Sequence, residues 1–173
     1  SIKDWLTLGF DMPFVVLTDF DPKGIPESQE DNDETKVQGG YGRNRVVDLT
    51  WSLMALDEKP TGITFDQVLA LAPSKGVFLN AHTFEIDLYQ AGAGHVFAKT
   101  IEGSTSNNAM RGRFNNWALG VETFNPTQFL KDIDSVGKGR VAQRLASVIL
   151  TDNANICPPY IKAALTYLKS KLA

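Results

Sequence analysis

Pro13-Phe14-Val15-Val16-Leu17-Thr18-Asp19-Phe20-Asp21-Pro22 is an apolar run that ends in two carboxylates one residue apart and is stopped by a proline. A run rich in β-branched and aromatic residues and bounded by Pro reads as a buried parallel strand. In open α/β sheets, ligands bind just beyond the carboxyl ends of the strands, so Asp19 and Asp21 fall where such folds do their chemistry. Alternation along an extended segment puts residues two apart on one side, which lets both carboxylates face a single ion. Two acids this close repel unless a cation neutralises them, and hard divalent ions prefer carboxylate oxygens. The pair therefore reads as half of a magnesium site. The structural alternative is an Asp pair that caps the strand and hydrogen-bonds the following turn.

A second short buried strand is expected at Gly76-Val77-Phe78-Leu79-Asn80, followed by Ala81-His82-Thr83-Phe84-Glu85-Ile86-Asp87-Leu88. By the same topological argument, Thr83 and Glu85 fall at a strand edge or the start of the next helix. Glu85 is a candidate third carboxylate, and the Thr83 hydroxyl a group that could orient a water. Equally, Thr83 could cap the helix while Glu85 and Asp87 favour its positive end. His82 precedes Glu85 by three residues, but zinc would need further nitrogen or sulfur ligands, and only His95 and Cys157 remain. Zinc is not expected, and His82 reads as a surface or supporting residue.

Gly137-Lys138-Gly139-Arg140 opens a helix that continues through Val141-Ala142-Gln143-Arg144-Leu145-Ala146. A helix N-terminus flanked by glycines presents free backbone N–H groups and suits a phosphate. Lys138 adds a compact positive charge that could stabilise a developing phosphorane or alkoxide. The glycine spacing is not that of a Walker motif, and a flexible turn with a solvated lysine is the plainer alternative. Arginines come in pairs: Arg43 and Arg45, Arg111 and Arg113, Arg140 and Arg144. Arg111-Gly112-Arg113-Phe114, in an Asn-rich stretch, could hold a phosphate backbone, although such pairs also occur on solvated helix faces.

The 173 residues are 43% hydrophobic, ample for a globular domain with its own core. A net charge of −3 excludes a protein that coats nucleic acid through gross basicity, while leaving room for a local basic groove. The lone Cys157 rules out an intramolecular disulfide framework and fits a reducing compartment. No apolar run approaches the roughly 18 residues needed to span a bilayer, and no leader with a cleavage site is recognisable. A soluble, cytoplasmic protein without membrane association is expected.

A short helix is expected over residues 1–11, and residues 22–40, with five carboxylates (Glu27, Glu30, Asp31, Asp33, Glu34), read as a long mobile acidic loop. Helices are expected from Tyr41 to about Asp57, from an N-cap at Thr64 to about Leu71, and from Asn125-Pro126-Thr127 to about Ile133. Two more are expected from about Arg140 to Leu150 and from Pro158-Pro159 to about Leu172; residues 92–116 give no clear period. Only two strands emerge, and a two-stranded parallel sheet is not a stable domain on its own. Either further strands escape detection or residues outside this chain complete the sheet.

In this order, Val15-Val16-Leu17-Thr18-Asp19-Phe20-Asp21-Pro22, Thr83-Phe84-Glu85-Ile86-Asp87-Leu88 and Gly137-Lys138-Gly139-Arg140-Val141-Ala142-Gln143-Arg144-Leu145-Ala146 resemble the Toprim nuclease domain of the OLD (overcoming lysogenization defect) family. The Pro158-Pro159-Tyr160-Ile161 start of the last helix fits as well. The resemblance spans about residue 10 to 172, and the Lys-Gly-Arg-x-Ala-Gln-Arg-Leu run is its most specific part.

The resemblance implies an α/β fold, a Toprim-type parallel sheet flanked by helices with a helical insertion. On that basis residues 1–85 belong to the Toprim core, 86–136 to the insertion, and 137–173 to C-terminal helices that complete the domain. It further implies a Mg²⁺- or Mn²⁺-dependent DNA endonuclease, with two metal ions. Asp19 and Asp21 would be the Toprim Asp pair, Glu85 a further metal ligand, Thr83 a supporting group and Lys138 the basic residue facing the scissile phosphate. Asp19, Glu85 and Lys138 would carry catalysis, and Arg111, Arg113, Arg140 and Arg144 would contact DNA.

Toprim domains begin with a strand ending in a glutamate, in a Val-Glu-Gly context, and nothing before Pro13 matches it. The first strand and the ATPase domain that precedes Toprim in this family are therefore expected upstream, in a longer polypeptide of which this chain is a C-terminal fragment. The metal site of the fragment alone is expected to be incomplete and its activity impaired, and the oligomeric state, a homodimer included, stays open.

Two rival readings remain. A haloacid dehalogenase-type phosphotransfer domain also places Asp-x-Asp after an apolar strand, with the first Asp as nucleophile. It expects Thr or Val two residues after the second Asp, where Lys23 stands here. The other is a non-catalytic Toprim-derived or receiver-like module that binds a partner and only retains the carboxylates.

Overall fold

The computed structural model describes residues 13–20, 41–55, 59 and 61–172. The expected helix over 1–11, the acidic loop 22–40 and Asp21 lie outside these residues. The described residues fall into two compact units, those of 1–84 with 159–173 and those of 85–158.

The first unit is built on a parallel pair, β1 (Val16–Thr18) and β2 (Val77–Leu79), with Val16 opposite Val77, Leu17 opposite Phe78 and Thr18 opposite Leu79. Between them run helix α1 (Tyr41–Leu53), helix α2 (Phe65–Leu71) and a 3₁₀ turn (Ala72–Lys75). Thr64 caps α2 as its sequence predicts: its hydroxyl accepts from the Gln67 N–H at 3.3 Å, and the Gln67 side chain accepts from the Thr64 N–H at 2.8 Å. Gly76 ends the 3₁₀ turn at φ 77°, a left-handed conformation, and a Cβ there would press on the Phe14 carbonyl and the Tyr167 ring, each at 3.0 Å. Only glycine lets the chain turn directly into β2 at this point.

Val46, Ala72 and Val77 are buried together, with Val16, Leu49, Leu53, Leu69 and Leu79 packed around them. Helix α8 (Pro159–Leu172) returns to this unit and sets Tyr167 edge-on against Phe78 of β2, ring centroids 5.9 Å apart. The run from Pro13 to Asp19 was expected to be a buried strand. Instead only three of its residues pair, Val16 and Thr18 are half-buried, and Leu17 is 46% exposed. The physical reason is that β1 has one strand neighbour among the described residues, so one edge and part of one face lack a covering element.

The second unit is helical. Helix α3 (Phe84–Leu88) passes through a π-helical segment, Tyr89–Ala93, kinked at Gly92 (φ 105°), into α4 (Gly94–Glu102). Then follow α5 (Asn108–Ala118), α6 (Pro126–Val136) and α7 (Lys138–Thr151). Asn107 and Asn125 cap α5 and α6 by accepting from the Met110 N–H at 3.1 Å and the Gln128 N–H at 3.0 Å. Their core is aromatic: Phe97, Phe114 and Phe129 are fully buried, and Phe129 meets Phe97 at 5.0 Å and Phe124 at 5.2 Å. Tyr89 stacks on Phe124 at 3.9 Å, and burial raises its phenol above the ordinary tyrosine value. The whole is an α/β fold, a small parallel sheet with flanking helices and a helical insertion. No helix among the described residues is long and apolar enough to cross a membrane.

Candidate functional site

Because β1 and β2 run parallel, both chains leave the sheet at the same edge. The register that sets Thr18 opposite Leu79 makes Asp19 and Asn80 the first residues beyond the ladder on either strand. The parallel pattern is carried one step further when the Asn80 N–H donates to the Thr18 carbonyl at 3.3 Å. The side chain of Asn80, 3% exposed, then works in two directions. Its Nδ2 donates to Asp19 Oδ1 at 2.5 Å, and its Oδ1 accepts from the Phe20 N–H at 2.5 Å.

Helix α1 closes on the same turn. The Gly42 N–H donates to the Phe20 carbonyl at 3.2 Å, and a Cβ on Gly42 would collide with the Asp19 and Phe20 carbonyl groups. One turn on, Arg45 Nη1 donates to Thr18 Oγ1 at 3.1 Å. Its neighbour Arg43 pairs instead with Asp66 at 2.7 Å. Three elements thus fix the backbone around Asp19: the end of β1, the end of β2 and the first turn of α1.

The half-buried Asp19 supplies hard oxygen donors at a strand end, the donor chemistry that Mg²⁺ or Mn²⁺ takes. Asn80 orients it through a neutral amide that brings no competing charge. Asp21, the other half of the pair, lies outside the described residues. Among the described residues no three His, Cys, Asp or Glu side chains gather as a metal-holding group.

The remaining sequence candidates lie in the second unit, except Thr83, which belongs to the first unit two residues before the second begins. Thr83 immediately precedes α3, and Glu85 is half-buried in that helix's first turn beside the buried Asp87. Lys138 is the first residue of α7, exposed, with its Nζ 3.6 Å from Asp134 of α6. Gly137, at φ 99°, separates the two helices, and the exposed Arg140 follows in the first turn. Arg144 is exposed as a residue, yet its guanidinium lies over Gly103 at the end of α4, where a Cβ would touch it.

Arg111 and Arg113 have intramolecular partners. Arg111 Nε donates to the Thr105 carbonyl at 2.7 Å. Arg113 grips the buried Asp132 through Nε at 3.1 Å and Nη2 at 2.9 Å. His95 and Cys157 are exposed.

Asn80 and Gly42 are residues that the order of the chain left without a role in the site, and Arg45 entered the sequence reading only as one of the paired arginines. For Asn80 a signal was present. It is the first polar residue after Val77-Phe78-Leu79, as Asp19 is after Val16-Leu17-Thr18.

No family model matches the chain, and no curated protein matches it in sequence. Among solved structures it is similar to the C-terminal region of the Burkholderia pseudomallei OLD protein, at 31% identity and a TM-score of 0.74, covering 99% of this chain and 78% of that one. Two structures of the C-terminal region of the Xanthomonas campestris pv. campestris OLD protein, phased with mercury and with iodine, share the fold. Their TM-scores are 0.67 and 0.69, at 22% and 24% identity, and each alignment covers 98% of this chain and 73% of the other. A strand-end aspartate clamped at the edge of a parallel pair, a helical second unit, and near-complete alignment at this identity lead to one assignment: the chain belongs to the OLD family and is a Toprim-type C-terminal region of it.

Proposed function

We propose that this chain is a metal-dependent DNA endonuclease domain that hydrolyses phosphodiester bonds with Mg²⁺ or Mn²⁺. The observation that carries the reading is the Asp19 carboxylate, presented at the carboxyl end of a parallel strand and oriented by a buried amide. Asp19 and Asp21 would hold the metal, with Glu85 a further ligand and Thr83 a supporting hydroxyl. Bound there, two divalent ions would supply an activated water and charge stabilisation at the leaving oxygen.

The chain's own groups have separate tasks. Asp19 presents its carboxylate in a set orientation. Lys138, exposed at the start of α7, would meet the scissile phosphate with a point charge, and the first N–H groups of that helix would add donors. Arg140 and Arg144 would bind the flanking backbone, a contribution that weakens as salt rises. Arg111 and Arg113 are retained as candidate DNA contacts of lower reach, since both guanidinium groups have partners within the unit.

Plasmid nicking by the full-length protein tests the reading, with Mg²⁺ or Mn²⁺ and with Asp19→Ala and Lys138→Ala variants checked for folding. Metal-dependent cleavage lost in both variants is expected. Cleavage that survives Asp19→Ala refutes the assignment of the metal site. A folded wild-type protein that binds metal but never cuts DNA favours the non-catalytic binding module.

A further inference from the structure

We propose that Asn80 is the positioning residue of the strand end at Asp19, setting the Asp19 carboxylate and the Phe20 backbone for capture of a divalent cation. The proposal rests on the reading of Asp19 as a metal ligand. Asn80 is 3% exposed, and three of its polar groups go to the end of β1. Its N–H donates to the Thr18 carbonyl at 3.3 Å, Nδ2 donates to Asp19 Oδ1 at 2.5 Å, and Oδ1 accepts from the Phe20 N–H at 2.5 Å. Gly42 holds the other end of Phe20 by donating to its carbonyl at 3.2 Å. The residue between the two aspartates is therefore fixed at both its N–H and its C=O.

The chemistry of asparagine accounts for the choice of residue. One side chain must donate to a carboxylate and accept from an amide at the same time, and a side-chain amide presents both functions in one plane. The reverse orientation of that amide would set Nδ2 against the Phe20 N–H and the carbonyl against a carboxylate, so the hydrogen-bond pattern admits one orientation. Aspartate would lose the donor, and leucine would lose both functions. A carboxylate already held in place loses less freedom on binding a cation, which is the general advantage of preorganised ligands. Groups that orient metal ligands in this way typically change metal affinity by about 10–100-fold when removed.

The test is Mn²⁺ binding by the full-length protein, followed through the free-ion electron paramagnetic resonance signal. Wild type is compared with Asp19→Ala, Asn80→Ala and Asn80→Ser at a temperature where circular dichroism shows each folded. Asp19→Ala is expected to remove a binding site. Asn80→Ala is expected to weaken that site about 10–100-fold, and Asn80→Ser, which keeps a hydroxyl able to make one of the two bonds, to fall between. Should Asn80→Ala fail to fold, the serine variant carries the comparison. A site that Asp19→Ala removes and both Asn80 variants leave unchanged overturns the role of Asn80 while Asp19 stands. A lowered melting temperature with unaltered affinity in the folded protein overturns it equally. Mn²⁺ binding that is absent, or indifferent to Asp19→Ala, overturns the metal reading itself and this proposal with it.

Discussion

Replacing Arg113 by alanine strips a buried carboxylate of its main partner, and the structure sets the size of the effect. Asp132 has a side chain only 7% exposed, and it receives Arg113 Nε at 3.1 Å, Arg113 Nη2 at 2.9 Å and Gln128 Nε2 at 2.9 Å. Without Arg113 one neutral donor from Gln128 remains against a full negative charge. Removing one partner of a fully buried pair costs about 3–5 kcal/mol. The Arg113 side chain is itself 33% exposed, so water can reach the space it leaves, and the lower figure of about 2–3 kcal/mol applies. Asp132→Asn removes the charge instead, and a partly exposed arginine can turn to water, so that change should cost only about 1 kcal/mol.

The double variant Arg113→Ala/Asp132→Asn should therefore be more stable than Arg113→Ala alone, the sign expected when the harm comes from a stranded charge. Global denaturation is a poor assay for a chain with two compact units. Hydrogen exchange read on peptides from α5 and α6 isolates the effect. A loss of about 2–3 kcal/mol appears there as roughly 30- to 150-fold lower protection. A loss in Arg113→Ala below about 0.5 kcal/mol, or a double variant no more stable than that single one, refutes the reasoning.

Gly42→Ala should loosen the Asp19 turn, because its Cβ would strike backbone carbonyl groups that cannot rotate away. A cost of about 1–3 kcal/mol and weaker Mn²⁺ binding are expected, and a variant that melts and binds like wild type sinks the idea. Gly112→Ala is the opposite case. It sits inside α5 with nothing within 4 Å of the new methyl group, so hydrogen exchange read on α5 peptides should show a gain of about 0.5–1 kcal/mol. The Tyr89 phenol, raised by burial above its ordinary value of 10.0, gives a pH prediction. Below pH 10.0 it is neutral whether the chain is folded or unfolded and makes no difference to stability. Above that value the unfolded chain ionises first while the folded one keeps its proton, so stability falls as pH rises from 10.0 through the raised value. An ultraviolet titration of phenolate should show a late-ionising component that Tyr89→Phe removes; a titration that this substitution leaves unchanged at its alkaline end would contradict it.

What could be read from the sequence was local chemistry. Thr64 with Gln67, Asn125 before Pro126, and Pro159 after Pro158 all mark helix starts through groups within a few residues, and helices begin there. Residues 92–116 gave no clear period, yet α4 and most of α5 lie in them. Gly92, Gly94 and Gly112 obscure the pattern, while Asn107 is a cap rather than a breaker. The partial exposure of β1 was not legible, because an apolar run shows a tendency to be covered and not whether a cover exists. Arg113 shows the same gap on the polar side, since a pair of arginines reads alike whether solvated or committed to an acid nineteen residues away. The site divides along this line. Asp19 was legible from its own neighbours, whereas Asn80 depends on register, which is a tertiary fact: a slip of one residue between β1 and β2 would part its amide from Asp19. In a parallel pair the residues that follow the two strands share one edge, so the first polar residue after each is best read jointly. Taken that way, Asn80 is a sequence candidate for a place beside Asp19 that the observed register then decides, and the proposal that it positions the carboxylate follows from the register as much as from the hydrogen bonds.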